Sequence, residues 1–530
     1  MNYENGKNLK INFNLDDIYI GKADGESEST NSKFMDMFYT GNNKVKELID
    51  KSKFIISGRK GTGKTVLARY FLKKESSERK LLCSEYTKLK DISLHELIEF
   101  GDKIIDRKMM YNFQKFYIYK EFVETLLKSK KKLRDFDFCV LCYLKYKVKY
   151  RNLKKFYSGV YTDEPYEIIK TENDYSVSSE VEGSIKKQIG ARLSEVSSVK
   201  QVTQIKEFYK LVSLFETKIL DILKYVEIIL VIDDFDDYFI DDKQELIRFF
   251  IDFISNVKDI NNIINNEKLK GDNRCIILMR DDVIDSFSNH DANIEKTTFD
   301  CQVHLNWMEG KNQTELKNMI CNKILFSNKK FEGNNINDIE LLFFPKIDSK
   351  ISKKSKKPKT FFNQIMEMTF GRPRDVIVMF NIMVSHNRDE EKFAFSMIKE
   401  AALEYSRHFI KELRNEMQFH FTPDYIDAMF KLLADYKMTK FTYEGILEFY
   451  NENGSNYKFD KELKYVLNDL YKFGVIGYAV INGKRGKIGY YAWSYYSNAS
   501  KDINLDSRLI IHKGLHKGLN IGAPKIVGVS

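Results

Sequence analysis

Apolar residues follow two periods along the chain. Short continuous runs, Phe54-Ile55-Ile56, Leu81-Leu82-Cys83, Ile228 to Ile232 and Cys275 to Met279, are bounded by polar or glycine-containing segments, and Cys301 to Leu305, which alternates apolar with polar residues, reads as a fifth strand. Runs of this length predict strands buried on both faces, as in a parallel sheet. Elsewhere the spacing is helical: Val66 to Lys74, Asn312 to Leu325 with Leu316, Met319, Ile320 and Ile324 on one face, and a helix opening at Pro373 with Val376, Ile377, Phe380 and Met383 inward.

The last third changes again. Tyr425 to Tyr436, Tyr443 to Asn451 and Asp460 to Phe473 predict three short helices, the third burying Leu463, Val466, Leu467 and Leu470. Gly474 to Gly477 then opens a hairpin with the turn Asn482-Gly483-Lys484-Arg485-Gly486-Lys487 and a returning strand from Ile488 to Trp493. Three helices followed by two strands with a basic tip is the order of a winged helix. The predicted organisation is a polar lead-in at 1–50, an α/β core on a parallel sheet at 51–310, a helical lid at 311–412 and a winged-helix domain at 413–530.

The core carries a large, mostly helical insertion at about 93–215. Within it, Lys128 to Tyr157 interleaves Lys145, Lys147, Lys149, Arg151, Lys154 and Lys155 with Tyr143, Tyr146, Tyr150 and Tyr157. Such a stretch could neutralise phosphates and stack on bases, or it could be the solvated face of an element whose aromatics enter a core. Between Tyr143 and Tyr150 the alternation fits a strand, whereas the surrounding sequence fits a helix. Lys350 to Lys359 reads as a basic loop, Ser176 to Lys187 as a loop or hairpin, and Gly25 to Thr30 as a loop leading toward a nucleotide.

Length and composition narrow the class. With 530 residues, 43% of them hydrophobic, the chain is globular and long enough for two to four domains. No apolar run has the length of a bilayer span, and the polar first residues lack the apolar core of a secretory signal, so a cytoplasmic protein without membrane contact is expected. The six scattered cysteines do not form a disulfide framework, and Cys139 and Cys142 lack the second ligand pair that zinc needs. A net charge of +10 permits a nucleic-acid partner without requiring one.

The chemistry concentrates at strand ends. Gly58-Arg-Lys-Gly61-Thr-Gly63-Lys64-Thr65 joins the first strand to the first helix, which Val66 continues. Glycines at this spacing let consecutive backbone N–H groups curl around an anion; Lys64 can then reach the β- and γ-phosphates and the Thr65 hydroxyl can ligate Mg²⁺. The run Glu227 to Ile232 ends in Asp233 and Asp234, which would hold the Mg²⁺ hydration shell and orient the attacking water, respectively. Asp234 is shorter than the glutamate common at such a position, which predicts slow or conformationally gated hydrolysis. The strand Cys275 to Met279 delivers Arg280 to the same end, where it could meet a γ-phosphate or pair with Asp281. Farther on, Gly371-Arg-Pro-Arg374 opens a helix and can direct a guanidinium toward an anion.

Together these elements resemble the AAA+ and STAND branch of P-loop ATPases, with a likeness to origin-recognition-like ATPases and to bacterial P-loop ATPases of mobile-element and anti-phage defence loci. The resemblance implies ATP and Mg²⁺ as ligands, Lys64 and Thr65 in Walker A, Asp233 and Asp234 in Walker B, Arg280 as a strand-end sensor and Arg374 as the lid arginine. It implies a switch that couples nucleotide state to the winged helix and thereby to duplex DNA, a partner or phage protein, or another copy of the chain. DNA contact would fall to Lys461, Lys464, Lys484, Arg485 and Lys487; alternatively, the module would act as a latch. A second function remains open, a DNA-binding module in which nucleotide locks the conformation without significant turnover. The interval from Lys64 to Asp233 exceeds that of a minimal core of this kind, and no arginine stands out as a trans-acting finger.

Overall fold

The computed structural model describes residues 13–89, 107–129, 140–160, 211–234, 243–267, 269, 271–287, 292–308, 314–345, 360–481, 488–496 and 500–522. The expected loops at Ser176 to Lys187 and Lys350 to Lys359, and the hairpin tip with Lys484, Arg485 and Lys487, lie outside them. The chain forms two compact units, one of Met1–Asn42, Lys60–Val66 and Asn306–Ser530, the other of Asn43–Arg59 and Leu67–Leu305.

The unit containing Leu67–Leu305 is built on a five-stranded parallel sheet in the order β2-β3-β4-β1-β5. Its strands are β1 (Ile55–Ser57), β2 (Leu82–Lys88), β3 (Glu227–Asp233), β4 (Arg274–Met279) and β5 (Gln302–His304). The apolar runs dictate this arrangement, because Ile228 to Ile232 and Cys275 to Met279 are almost wholly excluded from solvent and need a covering layer on each face. The helix Arg107–Lys128 covers β2 and β3, while Lys243–Asn266 packs on it and on β4. From β1 the chain crosses to the far edge at β2, steps back through β3 and β4, and then passes over β1 to reach β5. By the right-handed crossover rule the β1-to-β2 and β4-to-β5 connections leave for opposite faces, the order that in open parallel sheets puts the ligand crevice at the carboxyl ends of the strands corresponding to β1 and β4.

From residue 140 onward the basic, aromatic stretch is helical, as Val140–Val160, which settles the competing strand and helix patterns between Tyr143 and Tyr150; residues 130–139 lie outside the described residues. Tyr143, Tyr146, Tyr150 and Tyr157 recur three, four and seven residues apart and so share one helical face. Tyr146, Leu153 and Phe156 are buried, and Tyr157 donates to Glu124 Oε1 at 2.6 Å. The aromatic side therefore builds core and leaves the lysines in solvent, Lys149 being paired with Asp221.

The other unit has one continuous apolar core running from Phe13 to Ile521. It joins the helices Thr314–Ser327, Pro373–His386 and Phe395–Met417 to Pro423–Tyr436, Tyr443–Asn453 and Leu463–Lys472. The terminal hairpin belongs to a four-stranded antiparallel sheet in the order β6-β9-β7-β8, with β6 at Lys440–Phe441, β7 at Ile476–Ile481, β8 at Ile488–Ala492 and β9 at Leu509–Ile511. The polar lead-in also joins this core through Phe13, Leu15, Ile18 and Ile20. Gly25 to Thr30 is not a loop: Gly25–Ser29 is a short helix, and the Asp24 carboxylate accepts from the Ser27 N–H at 2.7 Å. Its buried Glu28 pairs with Lys323 and accepts from the Tyr19 hydroxyl. Among the described residues no helix is long and apolar enough to cross a membrane.

Candidate functional site

The parallel sheet brings the carboxyl ends of its strands to one edge, so Ser57, Lys88, Asp233, Met279 and His304 end together. At that edge Asp233 is buried, and its Oδ1 accepts from the Asp234 N–H at 2.8 Å. Its Oδ2 accepts from the Tyr86 hydroxyl. Asp234 follows with φ 63°, a left-handed conformation that aspartate tolerates better than most residues. Its carboxylate lies 3.2 Å from Lys88 Nζ. Neither Tyr86 nor Lys88 belongs to a motif of the sequence. They sit two apart on β2, on one face of the strand, and the register pairs Lys88 with Asp233 and Tyr86 with Val231. No local pattern signals them, because only strand pairing across the whole insertion brings them to the acids.

Arg280 follows β4, as expected, and is almost fully buried. Its partner is Asp282 rather than Asp281, through Nε at 2.9 Å and Nη2 at 2.5 Å. Asp281 instead faces His304, whose Nε2 is 3.1 Å from Oδ2. Both acids thus hold side chains at the ends of β4 and β5 while opening the Asp281–Phe287 helix, where negative charge is favoured.

In the other unit, the segment Lys60–Val66 is held by three separate pieces of chain. The Arg374 N–H donates to the Gly61 carbonyl at 3.2 Å, and Trp307 Nε1 donates to the Thr62 carbonyl at 2.9 Å. Gly25 packs so closely that a Cβ there would lie 3.0 Å from Val66 Cγ2 and 3.2 Å from Thr65 Cβ. Gly61 and Gly63 have φ values of +84° and +95°, left-handed backbone that side-chain-bearing residues resist. Lys64, Thr65 and Val66 open the helix Lys64–Glu78, whose amino end favours negative charge.

The Arg374 side chain donates from Nε to the Ala23 carbonyl at 3.2 Å and from Nη1 to Glu412 Oε2 at 3.1 Å. Arg372, fully enclosed, binds Asp375 through Nε and Nη2 and Glu416 through Nη1. Glu412 and Glu416 stand one turn apart on the Phe395–Met417 helix, so a single helix face holds both arginines. Burial works against the Arg372 charge, but Asp375 and Glu416 outweigh it and raise its pKa. Phe370, at the start of this segment, packs its ring 4.8 Å from Tyr495 and 4.9 Å from His512.

Among the residues expected to contact nucleic acid, Lys461 lies against Asp469 and over the Tyr425 ring at 4.8 Å. Lys464 lies 2.8 Å from Glu462 and over Tyr465. Lys461, which precedes the Leu463–Lys472 helix rather than lying in it, and Lys464 in its first turn thus each have an acidic partner.

A family described as the FunZ-associated C-terminal helical domain matches residues 315–414. The match covers most of Thr314–Ser327 and continues into Phe395–Met417, and it includes Arg372, Arg374 and Glu412. No curated protein matches the chain.

Proposed function

We propose that the chain is a Mg·ATP-dependent switch, binding ATP through Gly58 to Thr65 and hydrolysing it, in which the helical lid and the C-terminal module respond to the nucleotide. The observation that carries this reading is the span from Phe370 to Arg374. One end meets Gly61 of the glycine-rich loop through Arg374, and the other meets Tyr495 and His512 of the C-terminal module through Phe370. A change at the loop on phosphate binding would therefore be felt directly by the module.

The residues present suit the ligand. Positive φ at Gly61 and Gly63, a helix amino end at Lys64 and Thr65, and a buried carboxylate at Asp233 are the donor and acceptor types that triphosphate and Mg²⁺ require. Magnesium, when bound, supplies charge neutralisation for the phosphates. Lys64 would hold phosphate, Thr65 and Asp233 the metal and its waters, and Asp234 would orient the attacking water once released from Lys88. Arg280 and Arg374 would sense the γ-phosphate by exchanging Asp282 and Glu412 for it.

We read the third helix, Leu463–Lys472, and the hairpin strands after it as a winged helix that serves either as a latch or as a duplex-DNA contact, and the acid partners of Lys461 and Lys464 are consistent with the latch. The test is backbone hydrogen exchange in residues 463–511 with and without Mg·ATP, in wild type and Lys64→Ala. A nucleotide-dependent change in the wild type alone supports the coupling. Identical exchange in every condition, despite measurable ATP binding, refutes it.

A further inference from the structure

Asp233 is restrained at both oxygens, by its own neighbour's N–H at Oδ1 and by the Tyr86 hydroxyl at Oδ2. Tyr86 is restrained in turn, because the Arg69 guanidinium lies over its ring, 4.0 Å from the centroid. Arg69 belongs to the Lys64–Glu78 helix and stands four residues, about one turn, after Thr65. A carboxylate offers about four lone-pair directions, and it meets a metal-bound water along one of them. With both oxygens anchored, the plane of the carboxylate cannot rotate freely, and the remaining directions are fixed before any ligand arrives.

We infer that Tyr86, braced by Arg69, is a positioning residue that orients Asp233 toward the hydration shell of the nucleotide-bound Mg²⁺. The inference rests on the Mg·ATP reading above and assigns Tyr86 no contact with the nucleotide. The phenolic hydroxyl acts through one hydrogen bond to Oδ2, and its ring is the surface that the arginine of the phosphate-loop helix covers. Removing the hydroxyl leaves the ring, the stacking and the strand pairing in place, so Tyr86→Phe isolates the hydrogen bond from the packing.

The experiment titrates Mg²⁺ into protein with a subsaturating fluorescent non-hydrolysable ATP analogue, reading bound nucleotide by fluorescence and, in parallel, Mn²⁺ binding by electron paramagnetic resonance. Loss of an outer-shell partner weakens metal affinity about tenfold or more. Tyr86→Phe is therefore expected to raise the half-saturating Mg²⁺ about tenfold while leaving metal-free nucleotide affinity unchanged. In an Asp233→Asn background the same substitution should have no further effect, because the oxygen it orients is gone. Unchanged metal affinity in Tyr86→Phe, or an equal effect in the Asp233→Asn background, overturns the inference while the ATP reading stands. A wild-type protein that binds no nucleotide at any Mg²⁺ concentration overturns the ATP reading, and the inference with it.

Discussion

Substituting Gly61 with alanine tests how the loop is held, and Gly63 serves as its internal control. At Gly61 the backbone has φ +84°, and an added Cβ would lie 3.1 Å from Arg374 Cβ and 3.4 Å from Arg374 Cδ. At Gly63 φ is +95°, but the new methyl meets nothing within 4 Å. Holding an L-residue in such a backbone conformation costs about 1–3 kcal/mol, and both variants incur that cost. Only Gly61→Ala also pushes against Arg374, whose backbone N–H is bonded to the Gly61 carbonyl. Because that strain is present in the ligand-free loop, it appears in urea unfolding as a loss of about 1–3 kcal/mol, and where the substituted loop relaxes out of its conformation nucleotide binding weakens by up to about 150-fold. The contact with Arg374 should place Gly61→Ala at or beyond the upper end. Isothermal titration with ATP and Mg²⁺, alongside urea unfolding to confirm that both variants remain folded, provides the comparison. Wild-type affinity in Gly61→Ala, or clearly weaker binding by Gly63→Ala than by Gly61→Ala, would refute the argument.

Three further outcomes are expected. Asp234→Asn, which retains a residue tolerant of the left-handed backbone, should bind ATP normally and lose turnover; full-rate hydrolysis in a single-turnover assay would remove Asp234 from its role. Arg372→Met strands Asp375 and Glu416 in the core and should cost about 3–5 kcal/mol in urea unfolding, whereas Arg374→Met, half-buried, should cost about 1 kcal/mol or less. Burial holds the His516 imidazole below its usual pKa of 6.5, although the Ile511 carbonyl opposes this by accepting from Nε2. A folded-state pKa lowered in this way contributes stability that is complete above the ordinary imidazole range and lost as pH falls, so the unfolding midpoint should drop less steeply from about pH 7 to about pH 5.5 in His516→Asn than in the wild type.

The strands and most helices were legible because burial on both faces leaves only short apolar runs such as Ile228 to Ile232, and because amphipathic helices such as Leu463–Lys472 repeat at helical spacing. Strands β6 and β9 were not: two residues, Lys440–Phe441, and three, Leu509–Ile511, carry too little pattern to register before they pair. The Tyr143 to Tyr150 segment satisfied a period of two and a period of three to four at once, and tertiary burial of Tyr146, Leu153 and Phe156 decided between them. At the candidate site, the glycine spacing and the acids ending β3 were visible as local motifs. Their surroundings were not. Tyr86 and Lys88 reach the acids through strand pairing, Glu412 reaches Arg374 from a separate helix, and Ala23 and Gly25 come from the lead-in. Each of these contacts joins residues distant in sequence, which periodicity cannot reveal.

The central claim is that Gly58 to Thr65 binds the triphosphate of Mg·ATP. Equilibrium binding of a fluorescent ATP analogue, measured with and without Mg²⁺ on wild type and Lys64→Ala, tests it most directly. The wild type is expected to show saturable, Mg²⁺-enhanced binding that weakens at least about 100-fold in Lys64→Ala, since a charge-assisted contact to phosphate is lost. No saturable binding by the folded wild type, or equal affinity in the two proteins, would contradict it.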